Sequence, residues 1–106
     1  MPGPKLQLVW SPEAGADLLT IWRWGAAHFS PETADAHLRD IHHAASNLTE
    51  FPEVGVARDQ LVAGIRSIVV YPTVIFYRNG DTAIEIVRVV DGRRNLAAFF
   101  PSRGDS

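Results

Sequence analysis

The chain has 106 residues, 46% of them hydrophobic and 21% charged, which is the size and composition of one globular domain with one core. Ten Lys and Arg against twelve Asp and Glu leave a formal charge of -2, so the chain as a whole carries no electrostatic footprint for a polyanion. Cysteine is absent, which excludes disulfides, thiolate catalysis and thiolate metal sites together.

The opening MPGPKLQLVW has no apolar stretch of signal-peptide length, and no run approaches the ~20 residues that span a bilayer, so a soluble cytoplasmic protein without membrane contact is expected. In chain order, Leu6 to Trp10 reads as a short strand. Ser11-Pro12-Glu13 then supplies an N-cap oxygen, a proline at the first helical position and an early acid. At about 100° per residue, Ala14, Leu18, Ile21, Gly25 and Phe29 share one face of this helix, with Trp22 on its shoulder. Ser30-Pro31-Glu32 repeats the start signal, and Ala34, Leu38, Ile41, Ala45 and Leu48 form a second apolar stripe that Phe51-Pro52 is expected to end. The short connection predicts an antiparallel helical hairpin, and the small residues Gly25, Ala34 and Ala45 allow close approach.

A loop is expected up to Gly64. From Ile65 the period changes: IRSIVVY, TVIFYR and TAIEIVRVV read as sequential antiparallel strands, with Asn79-Gly80 as a two-residue turn between the last two. The last of them, apolar on both faces apart from Glu85 and Arg88, is expected to be central. The fold class is therefore α+β, with order β-α-α-β-β-β: an N-terminal strand and an antiparallel α-hairpin packed on a mainly antiparallel sheet. A single domain is expected over residues 1–100, followed by a polar tail, 101–106, in which Arg103-Gly104-Asp105 reads as tail and not as an adhesion motif.

Few residues invite chemistry. His28, His37, His42 and His43 do not pair at i,i+4 and no HExxH is present, so no metal and no cofactor are expected. No nucleophile elbow, P-loop or dinucleotide fingerprint occurs. Glu85 and Arg88 are spaced to fall on opposite faces of one strand. Trp10 and Trp22 fit a core, whereas Trp24 lies roughly 100° from the apolar centre of its helix, as a rim residue or part of a partner surface. Arg58, Arg66, Arg88, Arg93 and Arg94 concentrate in the second half, where a guanidinium suits phosphate or carboxylate equally well and scattered surface charge is the alternative.

LVWSPEAGADLLTIWRW, a second helix ending in NLTEFPEVG, LVAGIRSIVVYPTVIFYR and EIVRVVDGRR together resemble the ParE toxins of the RelE/ParE superfamily, over about Leu6 to Ala98. The order carries the resemblance: A-x-x-D-L-x-x-I-W (Ala14, Asp17, Leu18, Ile21, Trp22), then F-P-x-x-G, the G-I-R strand start and the G-R-R turn. It implies a toxin of a bacterial type II toxin-antitoxin module, neutralised by a ParD-like antitoxin and directed at DNA gyrase. Asp91 departs from the pattern, since ParE-like chains often carry a histidine before this glycine.

The superfamily's other branch, the RelE-like ribosome-dependent mRNA endonucleases, uses basic residues to hold phosphate and often a C-terminal Tyr or His for proton transfer. Arg66, Arg93 and Arg94 fit the basic positions, but Asn95 to Ser106 contain no Tyr, His or Lys. The expected function is thus a non-catalytic protein inhibitor with no catalytic residue, in which Arg93, Arg94 and Asn95 face the target. Arg66 is a possible phosphate or partner contact. Antitoxin contacts are expected at Trp24, Phe51, Val54, Val56 and Leu61, apolar residues off the helical stripes or in the loop. The alternatives are the endonuclease and a non-toxic module that only captures antitoxin. No sequence-specific nucleic-acid binding is expected.

Overall fold

A computed structural model of the chain describes residues 6–100. The tail from 101, with its Arg103-Gly104-Asp105, lies outside the described residues. Strand β1 (Gln7–Trp10) leads into helix α1 (Pro12–His28), and helix α2 (Pro31–Asn47) folds back on it. Strands β2 (Val56–Ala57), β3 (Ile65–Val70), β4 (Thr73–Asn79) and β5 (Ala83–Asp91) follow, then a 3₁₀ turn, Leu96–Phe99.

Both helices begin where their capping chemistry places them. Ser11 Oγ accepts the Ala14 N–H and Ser30 Oγ the Thr33 N–H, each at 3.0 Å, with proline in the first turn of each helix. The end of α2 differs from expectation. The helix stops at Asn47, ahead of Phe51-Pro52, because residues 48–50 tighten into i→i−3 bonding and turn the buried Leu48 into the core. The hairpin packs closely where small residues meet, since a Cβ on Gly25 would sit 3.3 Å from Ala34 Cβ. Phe29 leaves the apolar stripe: at the non-helical C-cap of α1 it is 69% exposed and rests edge-on against Trp24.

The sheet order is β1-β5-β4-β3-β2, with β1 parallel to β5 and every other pair antiparallel. This gives the expected meander with β5 inside the sheet. Three details were not anticipated. β2 is a two-residue outer strand within the expected loop. The reversal between β4 and β5 falls after Asn79, which pairs with Ile84, and Gly80 lacks the positive φ that an Asn-Gly turn centre requires. Finally, Phe76 pairs with Arg88 and Tyr77 with Ile86, so Val87 is an extra residue, a β-bulge. The bulge resets the alternation and puts Glu85 and Arg88, opposite Arg78 and Phe76, on the same face; they still do not meet, because Glu85 pairs with Arg78 and Arg88 with Asp17.

One face of the sheet buries Ile75, Tyr77, Ile84, Ile86 and Val89 against Ala14, Ile41, Ala45 and Leu48 of the hairpin. The other buries Ile65, Val74, Phe76 and Val90 beneath Phe100, whose ring meets Phe76 edge-on at 4.8 Å. The segment after β5 therefore closes the second core.

Candidate functional site

β1 ends opposite Ile86, and the chain turns away into α1 with Ser11 bonding back to the Ile86 and Val87 carbonyls. Past that point β5 has no neighbour on this side. Asp17, early in α1, fills the gap: Oδ2 accepts the Val89 N–H at 2.9 Å and Arg88 Nε at 2.8 Å, and Oδ1 accepts Arg88 Nη2 at 2.8 Å. The Arg88 guanidinium also lies 5.0 Å from the Phe99 ring centre. The bond to Asp17 raises the Arg88 pKa above its ordinary value. The Asp in A-x-x-D-L-x-x-I-W is therefore the cap of an open strand edge, a role that sequence reading missed although the motif displayed it.

At the β2 end, Arg66 Nη1 donates to the carbonyl oxygens of Gly55 and Glu53 at 2.7 and 3.2 Å. Its strand partner Tyr77 donates its hydroxyl to Pro52 O at 2.8 Å and accepts the Gly55 N–H at 2.9 Å. Burial pushes the Tyr77 pKa up. A Cβ on Gly55 would stand 2.6 Å from the Tyr77 hydroxyl, which explains the glycine in F-P-x-x-G. The structure thus gives Arg66 a place in the loop's own scaffold.

That loop points Phe51, Val54 and Val56 outward, 62%, 67% and 65% exposed. Leu61 is not among them, being half-buried against the second core. Trp24, half-exposed and stacked on His28, sits at the opposite end of the hairpin, separated by the length of α2, roughly 25 Å. The five residues expected to meet an antitoxin therefore do not form one patch.

The Asp91-Gly92-Arg93-Arg94 turn is built by the backbone, with Gly92 N–H to Pro72 O at 2.8 Å and Arg94 N–H to Asp91 O at 3.2 Å. The Asp91 carboxylate clasps Arg93, accepting its backbone N–H and Nε at 2.9 Å and Nη2 at 2.6 Å. The Arg93 bonds hold the Asp91 pKa down to about 2. Arg94 lies over the Phe99 ring at 5.1 Å. Asn95 is exposed at the start of the 3₁₀ turn, and its side chain makes no capping bond.

Beside this turn a cleft of about 480 Å³ opens between the helical hairpin and the ends of the strands, with Trp24, Phe29, His37, Tyr71, Arg93 and Arg94 on its walls. His37 is half-buried, its Nε2 3.4 Å from Thr73 Oγ1, and burial lowers its pKa against a smaller opposing influence of Asp40. Arg66 is not in the cleft: at the far end of β3, it lies roughly 15 Å along the strand from Tyr71. Among the described residues no helix is long and apolar enough to cross a membrane.

A parallel first strand, a helical hairpin over an antiparallel meander and a C-terminal segment under the sheet define a small α+β fold. Residues 8–96 match the family described as the ParE toxin of the type II toxin-antitoxin system parDE. The chain is 33% identical over 92 residues to Toxin ParE1 of Mycobacterium tuberculosis, covering 81% of this chain and 89% of the relative. It is 34% identical over 82 residues to Toxin ParE3 of Caulobacter vibrioides, covering 77% and 82%. A solved structure, described as a chromosomal ParDE TA system from P. aeruginosa, superposes with a TM-score of 0.72 at 26% identity, over 82% of this chain and 96% of that one. The chain belongs to the ParE toxin family and is a type II toxin of a toxin-antitoxin module.

Proposed function

We propose that this toxin inhibits DNA gyrase by protein-protein contact through the exposed Arg93, Arg94 and Asn95, and that a ParD-like antitoxin neutralises it by covering Phe51, Val54 and Val56. The observation that carries the non-catalytic reading is the separation of the basic residues: Arg66 is bonded into the loop at one end of β3, while Arg93 and Arg94 stand beyond its other end, so the three do not form one phosphate cradle. Arg93 and Arg94 sit on a turn whose backbone bonds do not depend on their side chains, as suits residues offered to a partner. For the antitoxin, the three exposed apolar side chains lie beside the outermost strand, where helix docking or strand addition can cover them. Trp24, at the other end of the hairpin, and Leu61, half-buried, lie outside the surface proposed here.

One observation favours the endonuclease as a second reading. His37 and Tyr71 line the same cleft as Arg93 and Arg94, and supply there the proton-transfer groups that the C-terminal segment lacks.

Two assays separate the readings. Purified toxin should impair gyrase supercoiling and leave messenger RNA intact on programmed ribosomes. Joint replacement of Arg93 and Arg94 by alanine should weaken gyrase inhibition by about thirtyfold or more, the scale of losing one partner of an interface charge pair. Codon-specific cleavage that His37→Ala abolishes, with gyrase untouched, would reverse the ranking. Antitoxin capture without either effect would leave a non-toxic binding module.

A further inference from the structure

We infer that the cleft beside the Asp91–Arg94 turn is a receptor for an acidic peptide segment, one large apolar side chain entering it while a neighbouring carboxylate is held by Arg94. The volume, about 480 Å³, lies within the roughly 300–1,000 Å³ of sites that enclose a compact ligand. Ile21, Trp24, Phe29, Val89 and Phe99 make its walls largely apolar, so an inserted hydrocarbon surface gains by leaving water.

The charges select what accompanies that side chain. Two carboxylates line the cleft, and each is matched: Asp17 by Arg88 at 2.8 Å and Asp91 by Arg93 at 2.6 Å. Arg94 has no carboxylate of the described residues within ion-pair distance; it lies on the Phe99 ring and feels Asp91, already clasped by Arg93, only at longer range. His37 adds no charge at neutral pH, since burial lowers its pKa. One guanidinium is left over. A guanidinium laid on a ring keeps its N–H edge free for bidentate contact with a carboxylate. A polyanion fits poorly, because Asp17 and Asp91 would face its remaining charges.

This deepens the target-surface reading, since Arg94 belongs to both, and it assigns the gyrase-side contact to an acidic, apolar-anchored segment. The probe is the dipeptide acetyl-Phe-Asp-amide, titrated into isotopically labelled toxin while the Trp24 indole N–H is followed by NMR. Saturable shifts at Trp24 are expected. Acetyl-Phe-Asn-amide should bind roughly fivefold more weakly, the scale of one exposed ion pair. Arg94→Ala should abolish the difference between the two peptides, and Thr20→Phe, which puts bulk into the cleft from an exposed helical position, should abolish binding of both. No saturable shift at Trp24, equal binding of the two peptides to the unmodified toxin, a difference between them that survives Arg94→Ala, or binding that survives Thr20→Phe overturns the receptor. Peptide discrimination lost in Arg94→Ala with gyrase inhibition intact leaves the receptor standing and removes the target-surface reading. The reverse pattern, no peptide binding but lost inhibition, removes the receptor alone.

Discussion

At the β2 end of the sheet arginines donate inward, Arg58 Nε to Ser67 Oγ at 2.9 Å and Arg66 to the Gly55 and Glu53 carbonyls, and the loop they hold shows Phe51, Val54 and Val56 to solvent beside the exposed Glu53. At the other end, Arg93 and Arg94 stand exposed around a cleft, one clasped by a neighbouring acid and one resting on a ring. The same residue type scaffolds one surface and is itself the surface of the other. What separates them is where each guanidinium has found its partner, on another strand or in the loop for Arg58 and Arg66 and within the same turn or the segment just after it for Arg93 and Arg94, a property of the fold that composition does not record.

The sharpest way to break this contrast is to remove a structural acceptor. Asp17→Ala deletes both bonds to Arg88 and the cap on the Val89 N–H, and should cost about 2–4 kcal/mol by denaturant unfolding. An unchanged midpoint would mean that the edge cap is ornamental. Next, Tyr77→Phe leaves Pro52 O and the Gly55 N–H without their partner and should cost about 1–3 kcal/mol. It should also weaken antitoxin binding, because the loop carrying Phe51 and Val54 loses its anchor, while gyrase inhibition at the far end persists.

A smaller effect sharpens the comparison at the cleft. Burial holds the His37 pKa below its ordinary value of 6.5, so below that pH the unfolded chain binds the proton more readily than the folded one. Stability should then fall as pH drops through this window. Melting temperature should decrease from about pH 7.5 to about pH 5.5, and less so in His37→Gln. A pH response identical in the two proteins would locate the titration elsewhere. Smallest of all, Arg94→Ala should leave the melting temperature unchanged within measurement error, since only a ring contact is lost. A clear drop would make Arg94 a scaffold residue like Arg66.

Local chemistry made much of the fold readable. Ser11-Pro12 and Ser30-Pro31 announce helix starts because capping is decided within four residues, and the β-branched runs announce β3, β4 and β5 because side-chain period is local too. What stayed hidden depends on distant partners. Asp17 acquires its meaning only from an N–H and a guanidinium about seventy residues away, and Arg66 only from carbonyls of a loop whose path was unknown. The Val87 bulge leaves no mark in an apolar run, and without it Glu85 and Arg88 are assigned to opposite faces. The cleft was legible in pieces, as Trp24 and Arg94, but nothing in the chain order set His37 and Tyr71 beside them.

The extra residue in β5 has a consequence for how this strand can vary. Before Val87 the strand lies between β1 and β4; after it, the strand has lost β1 and leads to the arginine turn. One residue sets the phase between these two halves. Deleting it would keep the composition and the strand propensity, yet would exchange the faces of Arg88 and Val89 or drag the turn along by a full residue, taking Asp91 off its pairing with Thr73. Substitutions along β5 are therefore local events, whereas a length change of a single residue is transmitted to the turn and the cleft beyond it.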